Sequence, residues 1–505
     1  MLNIRNAEKK QTIFASFFPD GLLPHPCPTA AGPTPPGGPR PALTGHQGER
    51  AQAGRWITLF FCLALFLAPT TGLAKKNIQF PVYPVIEDNV RFWQDVYGKY
   101  NSRQGILHDK DKPAIVYGII DLVDWNTPGA ARINKNLIKL ARHRYKKMLN
   151  DLGRGKKPRT REEKRIAALF PPKKHTRYLK ARDNIRLQIG QKDRFLQGVI
   201  RSGAYMPDLQ AIFRAHNLPV ELAYLPHVES SFNPKAHSKA GAVGLWQFTR
   251  GTGRDFMTIN SVLDERYDPF LSSQAAAMLL KKNYSQLGSW PLALTAYNYG
   301  RAGMVRALRV QKTYENIFKN HKTSIFKFAS RNFYSEFVAA LRVARKLEKD
   351  RSIIHDHPTA TLSIRMKGYA DTGKIRRYFK LSRKDFARFN PALRAPVLTG
   401  KKYIPKGYLL RLPATKFIRG RVKKMGTRFY HSRQIRDHMY TVRRGDTVGS
   451  IGRRFGVSTR ALIRANNLDR RATIRIGQKL VLPRGKTVKR SKRIPVLRES
   501  AKRKP

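Results

Sequence analysis

The chain has 505 residues and a hydrophobic share of 41%, enough for two to four domains with genuine cores. Its formal net charge of +66 is extreme; it dictates long-range attraction to polyanions but no particular fold. Both cysteines, Cys27 and Cys62, precede residue 75, which excludes disulfides and thiolate chemistry from all that follows.

Residues 1–54 are rich in Pro and Gly and carry no core pattern, so they read as disordered or as a start assigned too far upstream. Residues 55–74 have a basic start, an apolar run from Ile57 to Ala68 and a Gly72-Leu73-Ala74 ending. That is the pattern of a signal peptide and is short for a membrane span; an uncleaved anchor or a buried helix is the competing reading. Cys62 follows Phe61, where a lipid-attachment site would need a small residue. Localisation therefore reads as exported, to the periplasm or cell envelope, and membrane-associated if the signal stays on. Residues 75–182 read as a helical N-terminal region closed by a basic linker from residue 154. Val90, Trp93, Val96 and Tyr97 have helical spacing, as do Ile133, Leu137, Leu140 and Tyr145. Ile115 to Ile120 is either a strand or a buried helical turn. His108 and Asp109 lack further ligands, and no metal constellation or cofactor motif is present.

Residues 183–355 read as consecutive helices: Ile185 to Arg201, Asp208 to His216, a segment ending at Glu229, Ser272 to Leu287, Pro291 to Tyr299 and Asn332 to Lys349. Glu229 follows the apolar Leu222, Ala223, Leu225 and Val228, which places it in the last turn of a mostly buried helix kinked by Pro226. A carboxyl among apolar side chains is costly to ionise and can serve as an acid near neutral pH. Gly244-Leu245-Trp246-Gln247-Phe248 adds aromatic walls and an amide in a turn, a mixture suited to pyranose rings and their hydroxyl or acetamido groups. For Glu229 alone, a cap or salt bridge on a core helix would be the simpler reading.

Residues 361–413 and 440–483 form an internal repeat. Gly407-Tyr408-Leu409-Leu410-Arg411-Leu412-Pro413 aligns on Gly477-Gln478-Lys479-Leu480-Val481-Leu482-Pro483, and Leu381 to Asn390 on Val457 to Asn466. The tail 484–505 holds ten basic residues and one Glu and reads as disordered, with an anionic envelope surface as its possible contact.

Three segments in order, Glu229-Ser230, then Ser238 to Gln247, then Ala296-Tyr297-Asn298-Tyr299-Gly300, resemble the successive signatures of soluble-type lytic transglycosylases. With the repeat at the C-terminus, the chain is most similar to the membrane-bound, D-type branch of that family. The resemblance implies a mainly α fold: a lysozyme-like all-α catalytic domain followed by small α+β LysM modules of βααβ order. It implies a lyase acting on peptidoglycan glycan strands. Such an enzyme cleaves between N-acetylmuramic acid and N-acetylglucosamine and leaves 1,6-anhydromuramic acid, with Glu229 as acid and then base. It assigns Ser238, Gln247, Trp246, Tyr297 and Asn298 to substrate binding and Ser230 to supporting Glu229. Tyr334 stands at the place of the family's last tyrosine, although Ser330-Arg331 replace the usual Glu-Thr. Residues 440–483 resemble a LysM module, which implies binding of N-acetylglucosamine-containing glycan. Residues 361–413 lack its opening pattern and carry six extra residues, so glycan binding and packing against the catalytic domain are both open for that unit. A hydrolytic muramidase and a non-catalytic peptidoglycan-binding protein remain alternatives. Nucleic acid, suggested by charge alone, is disfavoured by the signal segment.

Overall fold

The computed structural model describes residues 79–171, 175–435, 438–469 and 471–483. The readings of 1–54, 55–74 and 484–505 lie outside the described residues. No helix among the described residues is long and apolar enough to cross a membrane.

After a short 3-10 turn the chain forms α1 (Glu87–Gly98), β1 (Gln104–Asp109), β2 (Val116–Asp121), α2 (Ala130–Gly153), α3 (Arg161–Ala168), α4 (His175–Arg182) and β3 (Ile185–Ile189). The strands make an antiparallel sheet of order β2-β1-β3. This part was expected to be helical, with Ile115 to Ile120 open as a strand; that stretch is largely β2, and the whole is an α+β layer with its own core around Leu107, Tyr117, Tyr145 and Leu149. Ile185, Leu187 and Ile189 alternate with polar residues, and period two prevails over the helical reading of that stretch. Gly190 ends the strand where a Cβ would lie 2.5 Å from the Tyr100 carbonyl. The expected linker is largely α3 and α4, and a capping box between Thr160 and Glu163 starts the former.

The helical body follows: α5 (Lys192–Ser202), α6 (Met206–Ala215), α7 (Pro226–Ser230), α8 (Arg250–Arg254), α9 (Pro269–Leu287), α10 (Trp290–Tyr299), α11 (Arg301–Gln311), α12 (Tyr314–Asn320) and α13 (Phe328–Glu348). Its core joins α1 to α13 through Trp93, Val96, Phe337 and Ala344, so the first helix is part of this body despite its distance in sequence. Full burial of a side chain such as Phe337 contributes about 1.5–3 kcal/mol.

The first repeat comprises β4 (Thr361–Arg365), β5 (Tyr369–Ala370), α14 (Thr372–Tyr378), α15 (Arg383–Phe389), α16 (Ala395–Leu398) and β6 (Leu409–Pro413), with α17 (Lys416–Lys423) and β7 (Tyr430–His431) packed on it. The second comprises β8 (His438–Thr441), α18 (Val448–Phe455), α19 (Thr459–Asn466) and β9 (Lys479–Leu482). In both, the outer strands pair antiparallel around the helices, β4 with β6 and β8 with β9. An equivalent asparagine locks each. Asn390 donates to the Phe386 and Arg411 carbonyls and accepts from the Arg411 amide, whereas Asn466 donates to Leu462 and Val481 and accepts from the Val481 amide. The extra residues of the first copy include α16.

Where the second repeat has Val481, the first has Arg411, and this difference docks it. The Arg411 guanidinium reaches both Asp268 oxygens, at 2.9 and 3.3 Å, and lies 4.4 Å from the centre of the Phe270 ring. Asp268 also caps α9 through the Phe270 and Leu271 amides. Backbone bonds from Asp264 to Ala392 and from Arg394 to Val262 complete the seam. Packing against the helical body is thus the role visible for this unit. Arg411→Met should leave Asp268 buried without its cation and lower stability by about 3 kcal/mol in urea unfolding. A loss well under 1 kcal/mol would mean that the repeat hangs free of the body.

Candidate active site

Glu229 sits in the last turn of α7, a helix of only five residues. The run before it is a 3-10 turn over Val220–Tyr224, and Pro226 opens the new helix at its first position. A proline kink inside one longer helix was expected; instead the ring stands where the missing N–H costs nothing. Ser231 and Phe232 then adopt positive φ, 49° and 55°, and stop the helix directly after the carboxylate.

Three hydrogen bonds fix this turn and the Gly244–Phe248 turn beside it. Ser230 Oγ donates to the Leu245 carbonyl at 2.8 Å, joining α7 to the Gly244–Phe248 turn. The Arg201 guanidinium donates from Nη2 to the Ser231 carbonyl at 2.7 Å, from α5. That close approach requires Gly198, whose added Cβ would lie 3.1 Å from the same carbonyl. The third comes from α10: Tyr297 Oη donates to the Trp246 carbonyl at 2.8 Å.

The electrostatics follow from this packing. Glu229 remains partly open at the surface, yet its carboxyl is walled by protein, and burial pushes it up from 4.5 to about 8, with a further push from Glu336. Burial together with the Glu229 charge holds the Tyr297 hydroxyl well above its ordinary value, so it stays a donor. His227, one turn earlier, is enclosed by Phe195, Tyr224 and Phe232; burial lowers it to about 3 and keeps it neutral.

Residues 209–319 match the transglycosylase SLT domain family, and residues 440–483 match the LysM domain family. The chain carries an SLT domain and a LysM domain. Membrane-bound lytic murein transglycosylase D of Escherichia coli K12 is 26% identical over 319 residues, 59% of this chain and 69% of that protein. A putative tributyltin chloride resistance protein of an Alteromonas species is 34% identical over 110 residues, 21% of this chain and 53% of its own length. Among solved structures, lytic transglycosylase Slt of Pseudomonas aeruginosa is 20% identical, with 30% of this chain and 26% of that chain covered and a TM-score of 0.25. The 70 kDa soluble lytic transglycosylase of Escherichia coli gives the same values.

The sequence-predicted residues fall into two groups. Glu229, Ser230, Gln247 and Tyr297 converge on the turn described above. Gln247, at φ 47°, curls its Nε2 onto the Gly244 carbonyl at 2.9 Å, and Ser238 Oγ accepts from the Ala242 amide at 2.9 Å. Asn298 accepts from Ser330 Oγ at 2.7 Å and so braces α10 against α13.

Trp246 and Tyr334 belong elsewhere. Trp246 is fully buried, stacked on Phe213, with its indole N–H on Ser273 Oγ at 2.7 Å. It is a core residue beneath the turn and offers no face to a sugar. Tyr334 is fully buried against Tyr314, and its hydroxyl donates to the Pro81 carbonyl at 2.9 Å. The helical periodicity of α13 turns it away from Glu229 and presents Phe333 and Glu336 to the site's neighbourhood; Phe333 stacks on Tyr297 with ring centres 6.4 Å apart. Asp264 and Asp268 are occupied with Arg266 and Arg411, and Glu265 with the Thr258 amide.

Sequence reasoning missed two groups. Glu336 on α13 is a second carboxyl, pushed up from 4.5 to about 7 by burial, against the opposing influence of a Tyr97 hydrogen bond and the Arg186 charge. Tyr97, from α1, donates that bond at 2.7 Å. The only sequence signal for Glu336 was an acid on the otherwise apolar face of the Asn332 to Lys349 helix. Among the described residues no cluster of three or more acidic, His or Cys side chains could hold a metal.

The raised Glu229 carboxyl has a consequence for stability. Below about pH 4 folded and unfolded chains both carry the proton. From there to about pH 8 the unfolded chain ionises while the folded one holds its proton, so folding weakens as pH rises. Glu229→Gln should therefore match the native chain near pH 4 and exceed it by about 2 kcal/mol near pH 8, allowing for the carboxyl's partial exposure. Urea unfolding at the two pH values measures this.

Proposed function

We propose that this protein is a peptidoglycan lytic transglycosylase of the cell envelope. It cleaves the β-1,4 bond between N-acetylmuramic acid and N-acetylglucosamine without consuming water. The observation that carries this reading is a single motif carboxyl, Glu229, kept protonated up to about pH 8 at the end of a short, fixed helix. The protonated Glu229 gives its proton to the glycosidic oxygen, the C1–O bond breaks, and the N-acetylglucosamine-side alcohol leaves. The Glu229 carboxylate then removes the proton of the C6 hydroxyl as O6 bonds to C1, which closes the 1,6-anhydro ring and restores the acid. A group that serves as acid and then base needs a pKa near the working pH.

The other roles follow from what each side chain has left to offer. Gln247 spends its N–H on its own turn, so its Oε1 is the group available to accept from an acetamido or hydroxyl group. Ser238 accepts from a backbone amide and keeps its O–H to donate. Tyr297, with its hydroxyl on the Trp246 carbonyl, holds the Gly244–Phe248 turn against Glu229. The LysM domain at 440–483 would hold N-acetylglucosamine-containing glycan, which raises the local concentration of strand around the catalytic domain.

A second reading, hydrolysis by a muramidase, is favoured by one observation: Glu336 supplies the second carboxyl that an ordinary glycosidase requires. Mass spectrometry of muropeptides released from purified sacculi separates the two. Products one water lighter than hydrolysis products, absent with Glu229→Gln, are the expected result. Reducing-end products would make the protein a hydrolase, and binding without release by either chain would make it a wall-binding protein.

A further inference from the structure

The reaction as written leaves Glu336 and Tyr97 without a task. Both are energetically unusual. Glu336 lies on α13 between residues that are fully or almost fully buried, Tyr334 and Ser335 before it and Phe337 and Val338 after it, yet it is itself partly exposed. It shares a face of α13 with Phe333, one turn earlier, which stacks on Tyr297. Tyr97 is 2% exposed, and its single hydroxyl is aimed at Glu336 Oε1 at 2.7 Å. The same hydroxyl lies within electrostatic reach of Glu229, so α1, α7 and α13 bring one phenol and two carboxyls to a common place. A glutamine at 336 would accept the Tyr97 hydrogen bond equally well without the cost of a half-buried charge. The charge is what a glutamine lacks.

We propose that Glu336, oriented by Tyr97, is a positioning residue whose negative charge keeps the proton on Glu229 until the glycosidic oxygen takes it. The proposal rests on the transglycosylase reading above. The groups around the pair support this order of ionisation. Arg186 from β3 and the Tyr97 hydroxyl both favour the charged form of Glu336. Glu229 faces Tyr297 from α10, Tyr97 from α1 and Glu336 from α13. On its own helix His227 is neutral, and the Arg201 guanidinium of α5 is bound to the Ser231 carbonyl. The two carboxyls thus ionise in steps, and Glu229, which has no such donor or cation, is the one that holds its proton longer. In the second half of the reaction the same repulsion strengthens the Glu229 carboxylate as a base and helps it draw the proton from the C6 hydroxyl.

The test is the pH dependence of kcat/KM for release of anhydro-products from soluble, uncrosslinked glycan fragments, with the native chain, Glu336→Gln, Glu336→Asp and Tyr97→Phe. With Glu336→Gln the alkaline limb should move down by about one pH unit, so that activity near pH 8 falls about fivefold relative to that near pH 6. Tyr97→Phe should move it the same way by less, because Glu336 loses a donor that favours its charge. Glu336→Asp should keep the native limb, and Tyr97→Phe carries the test if Glu336→Gln fails to fold. A uniform loss at all pH values with the limb unmoved, or no change in any variant, would overturn the inference and leave Glu336 a structural acceptor for Tyr97. A native chain that forms no Glu229-dependent anhydro-product would instead overturn the functional reading on which it rests.

Discussion

A carboxyl that must keep its proton near neutral pH has to be taken partly out of water without a cation to neutralise it, and the structure is arranged around that requirement. Desolvation alone would be relieved if α7 could tilt toward solvent. It cannot, because its C-terminal turn is tied from two directions, Ser230 to the Leu245 carbonyl and Arg201 to the Ser231 carbonyl, and Tyr297 holds the Gly244–Phe248 turn to which Ser230 is tied. Each tie ends on a backbone carbonyl, an acceptor that does not titrate. Trp246 and Tyr334, which motif position placed at the sugar, serve this purpose from beneath: one anchors the Gly244–Phe248 turn in the core, the other fastens α13 to the chain before α1.

The N-terminal region acquires a meaning that its composition did not suggest. Helix α1 packs along α13 and delivers Tyr97 to Glu336, while β3 of the small sheet brings Arg186 within reach of the same carboxyl. A segment some 130 residues away from Glu229 in sequence thus sets part of its electrostatic surroundings. The two repeats tell a related story. They share strand pairing and an asparagine that bridges helix and strand, yet one substitution, Arg411 for the equivalent of Val481, ties the first copy to Asp268. In the second copy the equivalent residue is the apolar Val481, which cannot form this ion pair. One βααβ framework accordingly serves as a rigid extension of the helical body and once more as a LysM domain.

What the sequence by itself determined was local in character: helices with strong 3.6-residue periodicity near their observed bounds, the repeat with its matching Asn-ended helix and closing strand, and the motif around Glu229, whose apolar approach already implied a costly charge. Of the small sheet, β2 was readable as a strand or a helical turn, whereas β3 was not legible, since it abuts a helix and its short alternation was absorbed into that helix's pattern; only pairing with β1, eighty residues earlier, makes it a strand. The neighbours of Glu229 were equally out of reach. Whether Tyr334 or Glu336 faces the site depends on the rotation of α13, and that is set by how Phe333, Phe337 and Ala344 fill the common core. Period and motif specify which residues share a helix face. Which face meets the carboxyl is decided by packing between segments far apart in the chain, because a pKa depends on distances in space and not on distances in sequence.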